Sequence, residues 1–568
     1  MQRVQSPGAS RQQTAGGSSN TANGVAAGVF GGSHGRQRRG AGGGGSRAGY
    51  YKSRAGKWDE VKLWQMGYRQ ELRRSFTLLN NLAICTSVLS FYAVADTYGT
   101  QGMAYGGPVS VIWGWVLCSV FSLIVALCLA ELLSAYPTTG GIYYWSWVMA
   151  PVRHRTILCW MAGWLNLLGQ VAFTAGLEYA LAKSVASVVA MHTADAWGAG
   201  GLVLSRPAVL GVLFGMLTLH ACLNSISSSV TAYTNTLSFF WHILATTGLC
   251  AALLLLPRRL NSAEYVFAAW TPNSDVHGIK SPAYTFLMGL LMAQWIIMGY
   301  DASIHVVEET IDAERAGSVA LVGSVAITCG LGFVLLLCLT FAMQSMTNIL
   351  RAGHGGDGQD AHNAITRLLW DVFRSRYGSG IGALGLSYVP LVGLFFCANA
   401  SLAANARMAF AFSRDGAMPG ARLWRRLDAR SRLPVAACWL MALLAGLLAA
   451  PCIFNELLFD TISAGSVVAL SLSYGIPISL RIFHNPYSFL PGPFSLGRAS
   501  KPLAVLACAW ILLTSVVFVL PTSYPVTAGS ANYTAALVAA VLAMAAVLFY
   551  APGFGGRHWF TGPAPNID

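Results

Sequence analysis

Residues 284–313 read YTFLMGLLMAQWIIMGYDASIHVVEETIDA. They place an acid, Asp301, directly after an apolar run long enough to enter a bilayer. A carboxylate at bilayer depth costs several kcal/mol, from ~2.5 to above 10 depending on the reference state. A plain lipid-facing helix does not carry one. Gly299 beside Tyr300-Asp301 instead suggests a helix interrupted near the midplane, with freed backbone groups lining a protected cavity. Trp295, Gly299, Tyr300 and Asp301 are then candidate solute contacts, and the Asp301 carboxylate is expected to cap the N–H of Ser303 or Ile304. The alternative is a kinked helix in which Asp301 pairs with a neighbour.

Two further groups could do chemistry. His242 lies midway along an apolar stretch, behind Trp241. Histidine has an unperturbed pKa near ~6.5, which suits proton exchange, although a lone membrane histidine also serves as a polar contact between helices. Asn399, Ser401 and Asn405 recur at helical spacing in LFFCANASLAANARMAFAFSRDG. Such a smooth polar face either coordinates a cation or packs closely. Glu178 and Lys183 are expected to pair loosely, and Arg407 to snorkel or pair with an acid such as Glu308. Glu308, Glu309, Asp312 and Glu314 are expected to be solvated.

The elements that position these groups are membrane helices. Hydrophobic residues make up 55% of the 568-residue chain and charged residues 10%, where a soluble domain carries about 25% charged. Mean hydropathy is +0.54. Twelve apolar runs are long enough to span, near 78–98, 108–134, 157–189, 207–226, 230–256, 284–307, 318–343, 381–411, 434–452, 460–482, 503–521 and 533–552. If the sixth is broken, an inverted repeat predicts a matching break in the first. That run, NNLAICTSVLSFYAVADTYG, is polar for a span, and the break is expected between Ser87 and Ala93. Ser87, Ser90, Phe91 and Tyr92 thereby join the candidate solute site. An unbroken helix with its serines bonded to the preceding turn is the alternative.

The net charge of +14 reflects topology and not nucleic-acid binding. Lys and Arg crowd the N-terminal tail and alternate loops, notably Arg414, Arg422, Arg425, Arg426, Arg430 and Arg432, which places both termini on the cytosolic side. The organisation expected is a disordered basic cytosolic tail (1–57), an amphipathic pre-membrane helix (58–75), a transporter domain (76–552) and a short C-terminal tail (553–568). The tail is Gly-, Ser- and Arg-rich with no acid before Asp59, so it has little to bury; a transit peptide shares part of that composition. The twelve cysteines form no CxxC pair and mostly fall in apolar runs, which argues against a disulfide framework or a metal site.

Several ordered motifs carry a resemblance. AELLSAYPTTGGIYYW, YGGPVSVIWGW, GYDASIHVVEET, WHILATTG, ANARMAFAFSRDGAMP, PGPFSLGR and LPTSYPVTAGSANYT together resemble the amino acid–polyamine–organocation superfamily of permeases, and its amino acid/choline transporter branch in particular. The resemblance covers roughly residues 75–560. It implies an all-α membrane protein whose twelve transmembrane helices form a 5+5 inverted-repeat core with broken helices 1 and 6. It also implies helices 11 and 12 outside that core. Members usually carry a glycine in the helix 1 break, where this chain reads Ser90-Phe91-Tyr92-Ala93. In sodium-coupled relatives of the fold, helices 1, 5 and 8 hold an ion; here His242, Asn399 and Ser401 occupy those helices.

The expected function is secondary transport of an amino acid or GABA, linked to a proton or to exchange, with no cofactor. Choline or another quaternary amine or polyamine is the alternative solute, and Phe91, Tyr92, Trp295 and Tyr300 the cage it would need. A transporter-like nutrient sensor is a further alternative. An enzyme is disfavoured because no nucleophile–base pair or HExxH motif occurs, and a channel because no filter-like loop repeats. The partners expected are a small-molecule amino acid or amine, a proton and the lipid bilayer, most simply the plasma membrane, with an internal membrane (mitochondrial, Golgi or vacuolar) as the alternative, and no nucleic acid.

Overall fold

The structure is a computed structural model that describes residues 47–193, 201–353, 363–455, 457–484, 489–527, 529–553 and 555–566. The tail expected over residues 1–57 lies outside the described residues up to 46. Thereafter the described chain is helical, with two isolated β-bridges, Phe76 to Thr310 and Gly106 to Thr271.

The first helix, α1, is Arg47–Gln65. It begins and ends earlier than the 58–75 helix suggested by the sequence, and residues 66–76 cross the bundle as irregular chain. The first span comprises α2 (Leu78–Val88), a 3-10 turn Phe91–Ala93, α3 (Val94–Thr97) and a π turn Tyr98–Met103. It is followed by α4 (Gly107–Ala135), α5 (Gly141–Met149), α6 (Arg155–Thr193), α7 (Arg206–Ile226) and α8 (Ser228–Leu255). Two short helices, α9 (Ala263–Ala268) and α10 (Ser274–His277), lead to α11 (Pro282–Ile296). Next come α12 (Ala302–His305), α13 (Ala313–Ala342), α14 (Met346–Gly353), α15 (Ala364–Tyr377) and α16 (Leu384–Arg414). The chain closes with α17 (Ala421–Trp424), α18 (Val435–Ala449), α19 (Leu457–Phe483), α20 (Ser500–Val517) and α21 (Thr534–Tyr550).

Ten helical stretches among the described residues are long and apolar enough to cross a membrane, and α21 is a shorter apolar helix. The 15-residue α11 is short for a span of ~20 residues, because its sequence run is divided. Local chemistry fixes the helix starts. Thr77 caps α2 in a reciprocal box with Asn80, and Ser281 caps α11 ahead of Pro282; each satisfies an N–H that the helix leaves free.

The 39-residue α6 packs against α19, α16, α18 and α7. Small residues permit close approach: a Cβ added to Gly163 would overlap Phe412 Cε2, and one added to Gly169 would lie 2.6 Å from Leu470 Cγ. Close backbone approach is how membrane helices gain packing energy without a hydrophobic driving force. On a second side α13 packs against α4 and α2.

At the end of the bundle where α2 begins, the charges are paired and buried. Arg414 donates to both oxygens of Glu308 at 3.0 and 3.1 Å, and Glu308 also accepts from the Thr138 hydroxyl and the Thr139 N–H. Arg407 pairs with Glu309 and not Glu308. Glu308 and Glu309 are 1% exposed and Glu314 7%; of the four acids expected in solvent only Asp312 is exposed. The reason is the chain before α2. Phe76 pairs with the backbone at Glu309 and Ile311, Gln70 donates to the Glu308 carbonyl, and Asp59 caps α13 through the N–H groups of Asp312 and Ala313. Lys62 reaches Glu314 at 2.9 Å. Asp415 accepts hydrogen bonds from Tyr68, from Tyr143 and from the backbone N–H of Ala564. Burial pushes its carboxyl up to about 6, against the opposing pull of Arg414 and the two phenols.

Candidate functional site

Two helix interruptions face one another inside the bundle. The first follows Val88: Leu89 leaves helical geometry at φ −79°, ψ 41°, and Ser90 is extended at φ −71°, ψ 111°. Both residues keep negative φ, so the unwinding needs no glycine. The second runs from Ile297 to Asp301, between α11 and α12. Here Gly299 has φ +91°, and a Cβ on it would sit 2.9 Å from Val88 Cγ1 and 3.1 Å from Phe173 Cε1. Only glycine combines that backbone with that approach. The Cys85 thiol meets the Tyr300 carbonyl at 3.3 Å, and Cys397 of α16 meets the Val88 carbonyl at 3.3 Å.

On the first break, Ser87 Oγ and Ser238 Oγ of α8 are 2.7 Å apart, and Ser90 Oγ is 2.8 Å from His242 Nε2. The other ring nitrogen, Nδ1, lies 2.8 Å from the Ser238 carbonyl. A carbonyl only accepts, so Nδ1 carries a proton, and the neutral ring accepts the Ser90 hydroxyl at Nε2. Phe91 and Tyr92 pack on the imidazole with centroids 5.5 and 5.2 Å away. The Tyr92 hydroxyl bonds Thr246 at 2.6 Å.

On the second break, Asp301 is fully buried. Its carboxylate accepts from Asn166 Nδ2 and Gln170 Nε2 of α6, both at 2.8 Å, and lies 3.3 Å from His305 Nε2. It makes no cap to α12, so the expected bond to Ser303 or Ile304 is replaced. Two amide donors on α6 outcompete the first-turn N–H groups of a four-residue helix. The Tyr300 ring packs on Tyr474 of α19 at 5.3 Å. Trp295 packs edge-on against Phe173 and Phe459, at 5.9 and 5.7 Å.

The four aromatic candidates therefore separate. Phe91 and Tyr92 lie together at 5.0 Å and turn to α8, while Trp295 and Tyr300 turn to α6 and α19. No ring contact joins the two pairs among the described residues. The cation candidates on α16 are also engaged by protein. Asn399 Oδ1 accepts from Asn224 Nδ2 at 3.0 Å, and Ser401 Oγ lies 2.7 Å from Thr174 Oγ1. Asn405 is buried with neither amide atom bonded. Among the described residues no group of three or more His, Cys, Asp or Glu is placed to hold a metal.

Glu178 pairs with His220 Nδ1 at 2.6 Å, both fully buried. Lys183 instead lines a cavity of about 220 Å³ with Asp96, Asp460, Tyr179 and Phe459. A five-residue spacing along a helix does not bring Glu178 onto the face of Lys183, whereas α7 presents His220 directly. Phe459 belongs to this cavity and also packs on Trp295, so it separates the cavity from the breaks. Asn166, Gln170, His305, Ser238 and Thr246 are partners of the two breaks that the sequence reading missed. Polar residues four apart in an otherwise apolar helix were the available signal, present in Asn166/Gln170 and in Asp301/His305.

Residues 78–542 match the family model for amino acid permeases. The chain belongs to the amino acid permease family. The permease is 36% identical to the amino-acid permease BAT1 of Arabidopsis thaliana, over 89% of this chain and 96% of that protein. It is 33% identical to the BAT1 homolog of Oryza sativa subsp. japonica, over 90% and 97%. A GABA-specific permease of Saccharomyces cerevisiae matches at 26% identity, over 90% and 86%. The permease is thus an integral multi-pass membrane protein that moves a solute and does not transform it.

Proposed function

We propose that the permease carries a small zwitterionic amine, an α-amino acid or GABA, across the plasma membrane by alternating access. In this reading twelve spans form two inverted five-helix repeats plus two outer helices, and both termini are cytosolic. The observation that carries the reading is the contact between two helix interruptions, Gly299 against Val88. Each interruption leaves backbone groups that a dipolar solute can use. The helix that resumes at Phe91 has no side-chain cap, since the Ser90 hydroxyl is on His242. Its first N–H groups are suited to a carboxylate, and the carbonyls at the ends of α2 and α11 to an ammonium. Ser87, Ser90, Trp295, Gly299 and Tyr300 would border the solute, with Phe459 and Trp295 closing it off from the outer cavity.

For coupling we favour a proton, or exchange, over sodium. The oxygens of Asn399 and Ser401 already bond Asn224 and Thr174, which supports a packing role for that face. His242 touches the first break directly. Protonation at Nε2 would turn it from acceptor to donor, so that the Ser90 hydroxyl must reverse. The choline reading loses support because the four rings it needs are split between two sides of the site. Labelled amino acid uptake into proteoliposomes, with choline as competitor and as alternative substrate, tests the proposal. Choline uptake with no amino acid uptake would overturn it.

A further inference from the structure

His305 stands between two acceptors. Its Nδ1 is 3.2 Å from the carbonyl of Thr139, and its Nε2 is 3.3 Å from Asp301 Oδ2. His305, Asp301 and Thr139 are all fully buried. A carbonyl cannot donate, so Nδ1 must carry a proton. The contact between Nε2 and the carboxylate needs a second proton, on either the ring or the acid. A neutral ring protonated at Nδ1 and facing an ionised carboxylate would set two lone pairs against each other at a fully buried contact. The geometry therefore belongs to a neutral pair that holds one proton more than neutral histidine with ionised aspartate.

The surroundings fit that count. The amides of Asn166 and Gln170 donate to the two carboxylate oxygens. The other titratable groups facing the pair are Tyr300 beside it, Tyr474 from α19 and Cys85 from α2. Glu308, which accepts from the Thr139 N–H, is neutralised by Arg414. No unpaired cation is seen at the pair among the described residues that would replace the bound proton. The pair also bridges separate elements: Asp301 and His305 belong to the broken helix, Thr139 to the turn between α4 and α5, and Asn166 and Gln170 to α6.

We infer that Asp301 and His305 jointly bind one transported proton, and that this proton fastens the second half of the broken helix to the turn at Thr139. The inference rests on the proposed proton-linked transport and gives it a site at the second break. Release of the proton to water at the N-terminal face leaves the pair with one net negative charge. Nδ1–H can keep the Thr139 carbonyl, but the Nε2 lone pair then repels the carboxylate. The helix end loosens from α6 or from the turn, which is the direction in which that face must open. Uptake of one proton from the opposite face restores the neutral pair and the closed contact.

Purified full-length protein in lipid nanodiscs and in proteoliposomes tests this by two readouts. In infrared difference spectra between acid and alkaline buffer, the wild type should show a band of the pair, carboxyl if the proton sits on the acid or imidazolium if it sits on the ring, that Asp301→Asn removes and His305→Gln displaces. Gln170→Met, which deletes one donor to the carboxylate and leaves His305 in place, should move the midpoint of that band to higher pH. In proteoliposomes, His305→Gln should lose the stimulation of uptake by an inward proton gradient, read against its own uptake without a gradient. Full gradient stimulation in His305→Gln, or a band indifferent to all three substitutions, would overturn the inference. A wild type that moves no amino acid would instead sink the transport reading, while the band would still report on the pair.

Discussion

The Ser90 hydroxyl lies 2.8 Å from His242 Nε2, so a titratable ring holds the first residue of extended chain in a membrane helix. This places a proton acceptor one bond away from backbone that a solute is proposed to contact. His242→Gln should flatten the pH dependence of uptake and leave counterflow exchange intact, since glutamine can still bond Ser90 but cannot titrate. Uptake measured against external pH checks this. An unchanged profile would exclude His242 as the proton site.

Gly299→Ala should abolish transport while costing only modest stability. The positive φ carries about 1–3 kcal/mol of strain for a residue with a Cβ, and that Cβ would press on Val88 and Phe173. The two breaks would be pushed apart at their contact. Comparing the Tm in detergent with initial uptake rates separates the two effects: a loss of uptake no greater than the loss of folded protein would argue against the contact.

Arg414→Met should destabilise the protein by about 3–5 kcal/mol, because it leaves Glu308 as an uncompensated buried charge. The double substitution Arg414→Met with Glu308→Leu should recover a large part of that loss, since no charge then remains buried. Thermal unfolding of both variants provides the comparison. Equal losses in single and double variants would mean that the hydrogen bonds to Thr138 and Thr139 dominate.

Asp415 predicts a pH dependence of a definite sign. Burial raises its carboxyl to about 6 from the ordinary 3.8, so the folded state binds the proton more tightly than the unfolded state. Its contribution to stability is fully present below pH 3.8 and is lost as pH rises through about 6. Relative to Asp415→Asn, the wild-type Tm should therefore fall between pH 4 and pH 6.5. Parallel profiles for the two proteins would rule out this assignment.

Much of the scaffold was legible in residue type alone. Apolar run length located the helices, and Gly299 beside Asp301 marked one interruption because few other residues tolerate that backbone or that burial. The polar run around Ser87 and Ser90 marked the other. Partners were not legible. Asn166 and Gln170 meet Asp301 from more than 130 residues away, and only the packing of α6 decides that they, and not the helix N–H groups, take the carboxylate. The ion pairs shifted by a residue or more for a similar reason. Glu308, Glu309 and Glu314 read as solvated acids until residues 59–76 are seen folded across them, something no local pattern encodes.

The meeting of distant chain segments at Asp415 has a consequence for biosynthesis. Asn566 bonds the backbone of Gly67 and Arg69 and the side chain of Glu71, across a separation of 497 residues from Arg69. These segments are synthesised far apart in time. Until residues 564–566 emerge, Asp415 lacks one of its donors and the floor over Tyr68 stays open. The nascent permease must therefore sit in the membrane with its helices inserted but that seal unmade. A chain cut short before Ala564 would lack that donor permanently.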